Sequence, residues 1–147
     1  MAATTTPEQG NQATMMRIAS ELWNDREYDV VDEVYGEDIE IHAFSDPEGV
    51  HGKDGVKAYA QRYHDAFSDF HVELMDVTAR DDCVYCRYRV TGTHDGLLRG
   101  EGDDIPATNK HMEMWGIVEG RFEDGRVVEE WNGTDTMAMM HQLGLVE

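Results

Sequence analysis

The pattern that most restricts what this chain can fold into is the alternation in its second half. From Cys83 to His94 the run CVYCRYRVTGTH places Val84, Cys86, Tyr88, Val90 and Gly92 on one parity, the more apolar one, and His94 continues it. Successive side chains of a strand point to opposite faces, so this is a strand with one side against a core. Segments of about Phe70–Ala79, His111–Glu123 and Arg126–Asn132 read the same way. Asp81-Asp82 and Asp124-Gly125 stand between them, where tight hairpin turns belong. The loop DGLLRGEGDDIPATNK, after His94, is long enough to be functional or mobile.

The first half has a different period. Met15, Ile18, Ala19, Leu22 and Trp23 recur at helical spacing. A second short helix fits Tyr28 to Tyr35, stopped by Gly36, and DIEIHAF then alternates as a strand before the turn residues SDPEG. Val56, Tyr59, Ala60, Tyr63 and Phe67 form one stripe of a further helix, with Asp54 as its natural N-cap. At the other end TMAMMHQLGLVE carries Met137, Met140 and Leu143 on one helical face, with Gly144 as C-cap. Because a helix follows Asn132-Gly133, that pair has no partner strand to make a hairpin, and Asn132 belongs at the end of the last strand.

This order predicts an α+β fold. It is a cone-shaped, curved antiparallel (mixed) sheet wrapped over about three N-terminal helices, with a short C-terminal helix. Residues 1–12 lack periodicity and read as a disordered tail, and 13–147 as a single domain. Sites in such a cone lie inside it, so strand parity decides which residues can do chemistry.

Charge narrows the partners. There are 31 acidic and 12 basic residues, a formal net charge of −19. Such a surface repels nucleic acid and anionic membranes. At molar salt the screening length falls to about 3 Å, which removes most of the self-repulsion, so a halophilic adaptation is favoured over an ordinary acidic protein. No apolar run reaches the length of a membrane span, and the start lacks the features of a signal peptide; a cytoplasmic location is expected. Cys83 and Cys86 fall three apart on a strand, on opposite faces, which suits neither a redox pair nor a zinc site, and they read as plain thiols.

Several stretches taken in order are similar to those of a known family. They are Gly52 to Ala60 (GKDGVKAYA), Ala66 to Asp69 (AFSD), Gly92 to Gly100 (GTHDGLLRG), Arg121 to Trp131 (RFEDGRVVEEW), Asp135, and Gln142 to Gly144 (QLG). Over about residues 14–145 the chain resembles the SnoaL-like polyketide cyclases, of the nuclear transport factor two superfamily. The resemblance implies an intramolecular aldol ring closure without metal or cofactor, in which a carboxylate removes a proton α to a carbonyl and polar groups hold the enolate oxygen. The family's acid/base aspartate falls at Asn132, and a histidine on the preceding strand at Val118. An amide cannot carry that proton, though it can donate to an oxyanion.

The proton carrier must then be sought among His42, His94 and Glu130. Each has an ordinary alternative: an edge histidine bonded to backbone, or a solvated acid. If Asn132 faces inward, Glu130 and Val128 share its side. A three-residue loop at Asp124-Gly125 with a glycine bulge sets Val118 opposite Glu130, whereas a two-residue loop sets Glu119 there. The bulge is favoured; it puts Met112, Met114 and Val118 on the pocket side with Tyr59, Tyr63 and Tyr88 as further contacts, and Ile117 opposite Trp131 outside. Asp135 fits an N-cap. Arg87 and Arg89 fit surface ion pairs. The remaining histidines show no ligand spacing, so no metal is expected. Trp115, Ile117 and Trp131 on the convex side predict a homodimer.

These residues leave three readings. One is a cofactor-free cyclase or isomerase of a carbonyl compound, with His42, His94 or Glu130 moving the proton and Asn132 holding the oxyanion. The others are a non-catalytic binder of a small hydrophobic molecule, and an interaction module.

Overall fold

Thr6 starts the first helix. Its hydroxyl accepts from the Gln9 backbone N–H, and the Gln9 side chain accepts from the Thr6 backbone, a reciprocal cap with Pro7 in the first turn. The computed structural model of the protein describes residues 6–100 and 104–146. Helix α1 runs Pro7–Arg17, so residues 7–12, expected in a disordered tail, are helical. The cap is a polar signal, which apolar periodicity does not register, and it contributes about 1 kcal/mol. Residues 1–5 of the expected tail lie outside the described residues.

Beyond α1 the chain widens into a π-helical stretch, Ile18–Asn24, in which the Asp25 N–H reaches back five residues to Ser20. A single 3-10 turn, Tyr28–Val30, leads into α2, Val31–Val34. The expected helix end at Tyr35 is corrected: Tyr35 opens strand β1, Tyr35–Ala43, and Gly36 lies within that strand. The SDPEG segment, expected as a turn, contributes to β2, Asp46–His51. Asp-Pro-Glu-Gly has little strand propensity, but β2 sits at the sheet edge, where proline is tolerated. Helix α3 is Gly52–Ala66 and starts earlier than expected, with His51 at the cap position and no side-chain cap; Asp54 lies in the first turn.

The four long strands stand close to where alternation puts them. They are β3, His71–Arg80; β4, Cys83–Thr93; β5, His111–Glu123; and β6, Arg126–Thr134. Helix α4, Thr136–Gln142, closes the chain, capped by the Asp135 carboxylate on the Ala138 N–H at 3.0 Å. The six strands form one curved mixed sheet in the order β2-β1-β6-β5-β4-β3, with β1 and β6 parallel and all other neighbours antiparallel. The architecture is α+β, as expected.

Alternation holds along β5, where Met112, Met114, Val118 and Phe122 are buried and Trp115 and Ile117 exposed. Helices cover the concave face: α1 and the π-helical stretch pack on β3, and α3 on β1 and β2. Leu22, Val31, Ile39, Ala60, Phe67, Val84, Met112 and Val127 there are fully buried. Each larger aliphatic among them stabilises the fold by about 1.5–3 kcal/mol. The convex face leaves Phe44, Trp115 and Ile117 exposed.

The β5–β6 register corrects a detail. Asp124 and Gly125 both have positive φ, 51° and 78°, which makes a two-residue turn closed by Glu123 and Arg126. The extra residue comes later, at Val127-Val128, where the pairing shifts. Val118 therefore pairs with Asn132 rather than Glu130, Glu130 with Gly120, and Ile117 with Gly133 rather than Trp131. The bulge also turns Val127, not Val128, into the core. One inserted residue restores the expected parity, so Glu130 and the pocket-side residues keep their face.

Candidate active site

Helices and sheet form a cavity whose wall is mostly apolar, with five aromatic rings in it. Its volume is about 70 Å³, and its mouth is open to solvent. The π-helical stretch supplies Ile18, Ala19 and Trp23, and its extra residue per turn shifts the helix face locally. Trp23 stands edge-on to Tyr59, with centroids 5.8 Å apart, and lies 5.5 Å from Phe70. Tyr59 and Tyr63 come one turn apart on α3 and touch at 5.4 Å. Strands β4, β5 and β6 add Tyr88, Met114, Val118, Glu130, Asn132 and Thr134.

Three polar residues converge at the sheet. The Tyr88 hydroxyl donates to Asn132 Oδ1. Burial, and then the nearby Glu130 charge, raise the Tyr88 pKa, so this phenol keeps its proton and acts as the donor. With its oxygen occupied, Asn132 keeps its NH₂ group free to donate, on the same strand face as Glu130 two residues before it. Tyr88 reaches across because its neighbour on β5 is Gly116: a Cβ there would overlap the tyrosine ring.

Glu130 is only 5% exposed, and among the described residues no Lys or Arg lines its cavity. Burial pushes its carboxyl up to about 7, with the nearby Asn132 amide opposing that shift. A carboxylic acid that titrates near neutrality can both take and return a proton. Its field extends outward, adding to the burial that pushes the Cys86 thiol up to about 12.

Seven of the residues expected at the site come together here: Tyr59, Tyr63, Tyr88, Met114, Val118, Glu130 and Asn132. Three do not. Met112 faces inward but is sealed in the core opposite Gly92. His42 lies on the convex face, stacked on Trp131 at 5.5 Å and bonded to Glu129 at 2.9 Å. It follows the buried Ile41, so the alternation of β1 turns it outward. His94 is on the expected parity and fully buried, but it lies past the cavity, where its ring meets Phe67 at 5.3 Å and its Nδ1 meets Thr108 Oγ1 at 3.0 Å. Burial lowers its pKa, so it is neutral at pH 7 and ties the long loop to β4.

Sequence reasoning missed Trp23, Phe70, Leu74 and Thr134 as wall residues. Trp23 was visible only as a member of a helical stripe, since a π-helical turn has no local pattern that distinguishes it. Arg87 and Arg89 pair with Asp76, Glu73 and Glu113 on the outer face, and Cys83 and Cys86 are free thiols. Among the described residues one grouping could hold a metal ion, Glu40 with His42 and Glu129. It sits on the convex face, where Arg121 also occupies Glu129, and takes no part in the cavity.

The profile described as SnoaL-like polyketide cyclase matches residues 13–143. The chain belongs to the SnoaL-like polyketide cyclase family. No curated protein matches it. Among solved structures, a candidate SnoaL-like polyketide cyclase from Jannaschia sp. CCS1 superposes with a TM-score of 0.85 at 23% identity, covering 100% of both chains. Wild-type IdmH, a candidate polyketide cyclase from Streptomyces antibioticus, gives a TM-score of 0.74 at 27% identity over 91% of this chain and 98% of its own. A LEH-like epoxide hydrolase from M. tuberculosis shares the fold at 14% identity, with a TM-score of 0.71 over 95% and 93% of the two chains. Within this SnoaL-like chain no described helix is long and apolar enough to cross a membrane.

Proposed function

We propose that the protein is a cofactor-independent acid/base enzyme that cyclises or isomerises a small, largely apolar carbonyl compound of polyketide type. Membership of a family described as cyclases and a mostly apolar cavity with aromatic rings in its wall support the substrate class. The observation that carries the chemistry is Glu130: a buried carboxyl titrating near pH 7, inside the cavity, beside a fixed amide donor. Glu130 takes the proton from the carbon next to the carbonyl. The electron pair of that bond moves onto the carbonyl oxygen, and the Asn132 NH₂ group donates to the oxyanion as it forms. In a ring closure the enolate carbon then attacks a second carbonyl of the same molecule, and Glu130 returns the proton to the new alkoxide.

The test needs no knowledge of the native substrate. An aryl β-keto ester in D₂O should exchange its α-proton faster with the protein than without, with a pH midpoint near 7. Replacing Glu130 by Gln should remove the acceleration, and exchange unchanged in that variant would end the assignment. A second reading, a binder without turnover, is favoured by the amide standing where the family aspartate aligns. Ligand uptake with no exchange by the wild type would establish it.

The exposed Phe44, Trp115 and Ile117 support a homodimer formed through the convex face. The charge of −19 supports adaptation to high salt, which a melting temperature rising steadily from dilute to molar KCl would demonstrate.

A further inference from the structure

Away from the cavity, metal-ligating side chains from three neighbouring strands meet on the convex face. Glu40 and His42 point outward from β1, alternating with the buried Ile39, Ile41 and Ala43. In register with Glu40 stand His51 on β2 and Glu129 on β6. The ligating atoms of Glu40, His42 and Glu129 all lie within 4.8 Å of one another, and His51 Nδ1 is 3.8 Å from Glu40 Oε1. Spacing along the chain does not reveal the set, because strand pairing assembles it.

Hydrogen bonds outside the set fix how its donors present themselves. His51 Nε2 lies 2.9 Å from the Glu48 carbonyl oxygen, which can only accept, so Nε2 carries the proton. In the neutral ring Nδ1 then holds a lone pair, and it faces the Glu40 carboxylate, a second acceptor. Two acceptors so placed repel unless a cation stands between them. A histidine whose other nitrogen donates to a backbone carbonyl is also the usual form of a metal ligand. The two oxygens of Glu129 are divided: Arg121 donates to Oε1 at 3.4 Å, while Oε2 faces His42 Nε2 at 2.9 Å. The arginine steadies the carboxylate by its far oxygen, and a metal ion takes the place of the proton between Oε2 and the imidazole.

We propose that His42, His51, Glu40 and Glu129 form a surface site for a divalent transition metal of the zinc type, separate from the cavity and independent of the function proposed for it. The donor set selects the ion: imidazoles with carboxylates suit Zn²⁺, Ni²⁺ or Cu²⁺, whereas Mg²⁺ and Ca²⁺ take oxygen shells. The net charge of −19 attracts every cation to the surface, so the two imidazoles are what distinguish this place from the rest of it. Bound there, the ion ties the edge strand β2, whose Asp-Pro-Glu-Gly segment has little strand propensity, to β1 and β6.

Calorimetric titration of ZnCl₂ into the full chain, stripped with EDTA and dialysed into buffered KCl with excess MgCl₂, tests this. The wild type should take up one Zn²⁺ per chain despite the Mg²⁺. His42→Gln and His51→Gln should each weaken binding at least about 10-fold. His71→Gln, an exposed histidine on the far edge strand β3, should leave it unchanged. Saturating Zn²⁺ should raise the melting temperature of the wild type and leave that of the double variant His42→Gln/His51→Gln unmoved. Circular dichroism identifies a histidine variant that fails to fold, in which case Glu40→Gln takes its place with the same loss expected. No uptake by the wild type, or uptake that excess Mg²⁺ abolishes, overturns the site and leaves only a diffuse acidic surface. Uptake at wild-type affinity in both histidine variants overturns it as well, by placing the ion elsewhere.

Discussion

Glu129 and Glu130 are adjacent in sequence and opposite in circumstance. Glu129 points to the convex face, where the His42 imidazole and the Arg121 guanidinium hold its carboxyl below the usual range. Glu130 points into the cavity, where burial holds it well above. The strand's alternation separates the two side chains, and the neighbours on each face do the rest. Charge count and local composition are shared by the pair and carry no information about which can do chemistry.

The largest expected effect that separates them is catalytic. Glu130→Gln should slow α-proton exchange by about 10²–10⁴-fold, the usual contribution of a positioned general base, while Glu129→Gln leaves the rate unchanged. If the two variants respond alike, the contrast between the faces is wrong.

Next comes stability. The folded-state pKa of Glu130 lies above its unfolded value, so the folded protein binds the extra proton and loses stability as pH rises from about 4.5 to about 7. Glu130→Gln should therefore be neutral near pH 4 and stabilising by about 3 kcal/mol at pH 8, read from urea unfolding at both values. A variant destabilised equally at both pH values would show that the carboxyl is not buried as a charge.

Asn132→Asp adds a second carboxyl beside Glu130. Two like charges at that spacing cannot both ionise freely, so the pH midpoint of exchange should climb by about 1 unit or more. An unmoved midpoint would mean that position 132 does not face Glu130.

On the convex face Ile117→Glu should halve the mass measured by light scattering if two copies associate there; an unchanged mass refutes that interface. Smallest of all is Glu129→Gln. Its carboxyl is depressed in the folded state, so its contribution is present at neutral pH and lost as pH falls through the folded value. The variant should melt slightly lower at pH 7 and like the wild type at pH 3.

Much of this contrast was legible beforehand. Parity along β5 and β6 put Val118, Glu130 and Asn132 on one side and Trp115, Ile117 and Trp131 on the other, because the two-residue period is a property of the extended backbone. His94 shows where that reasoning stops: its parity is as expected, but it lies beyond the cavity against Phe67. His42 failed for a related reason, since its strand has a buried Ile41 before it and the histidine takes the other face.

What the sequence determined alone was the period of the long strands and which residues share a face within β4 and β5, because steric repulsion along an extended backbone acts between neighbours. Only the tertiary structure decided the bulge at Val127-Val128, the gap at Gly116 that admits Tyr88, and the π-helical turn that brings Trp23 to the wall. It also set the proton affinity of Glu130. These depend on what stands across the sheet or above it, and desolvation in particular is the summed effect of groups far apart in the chain.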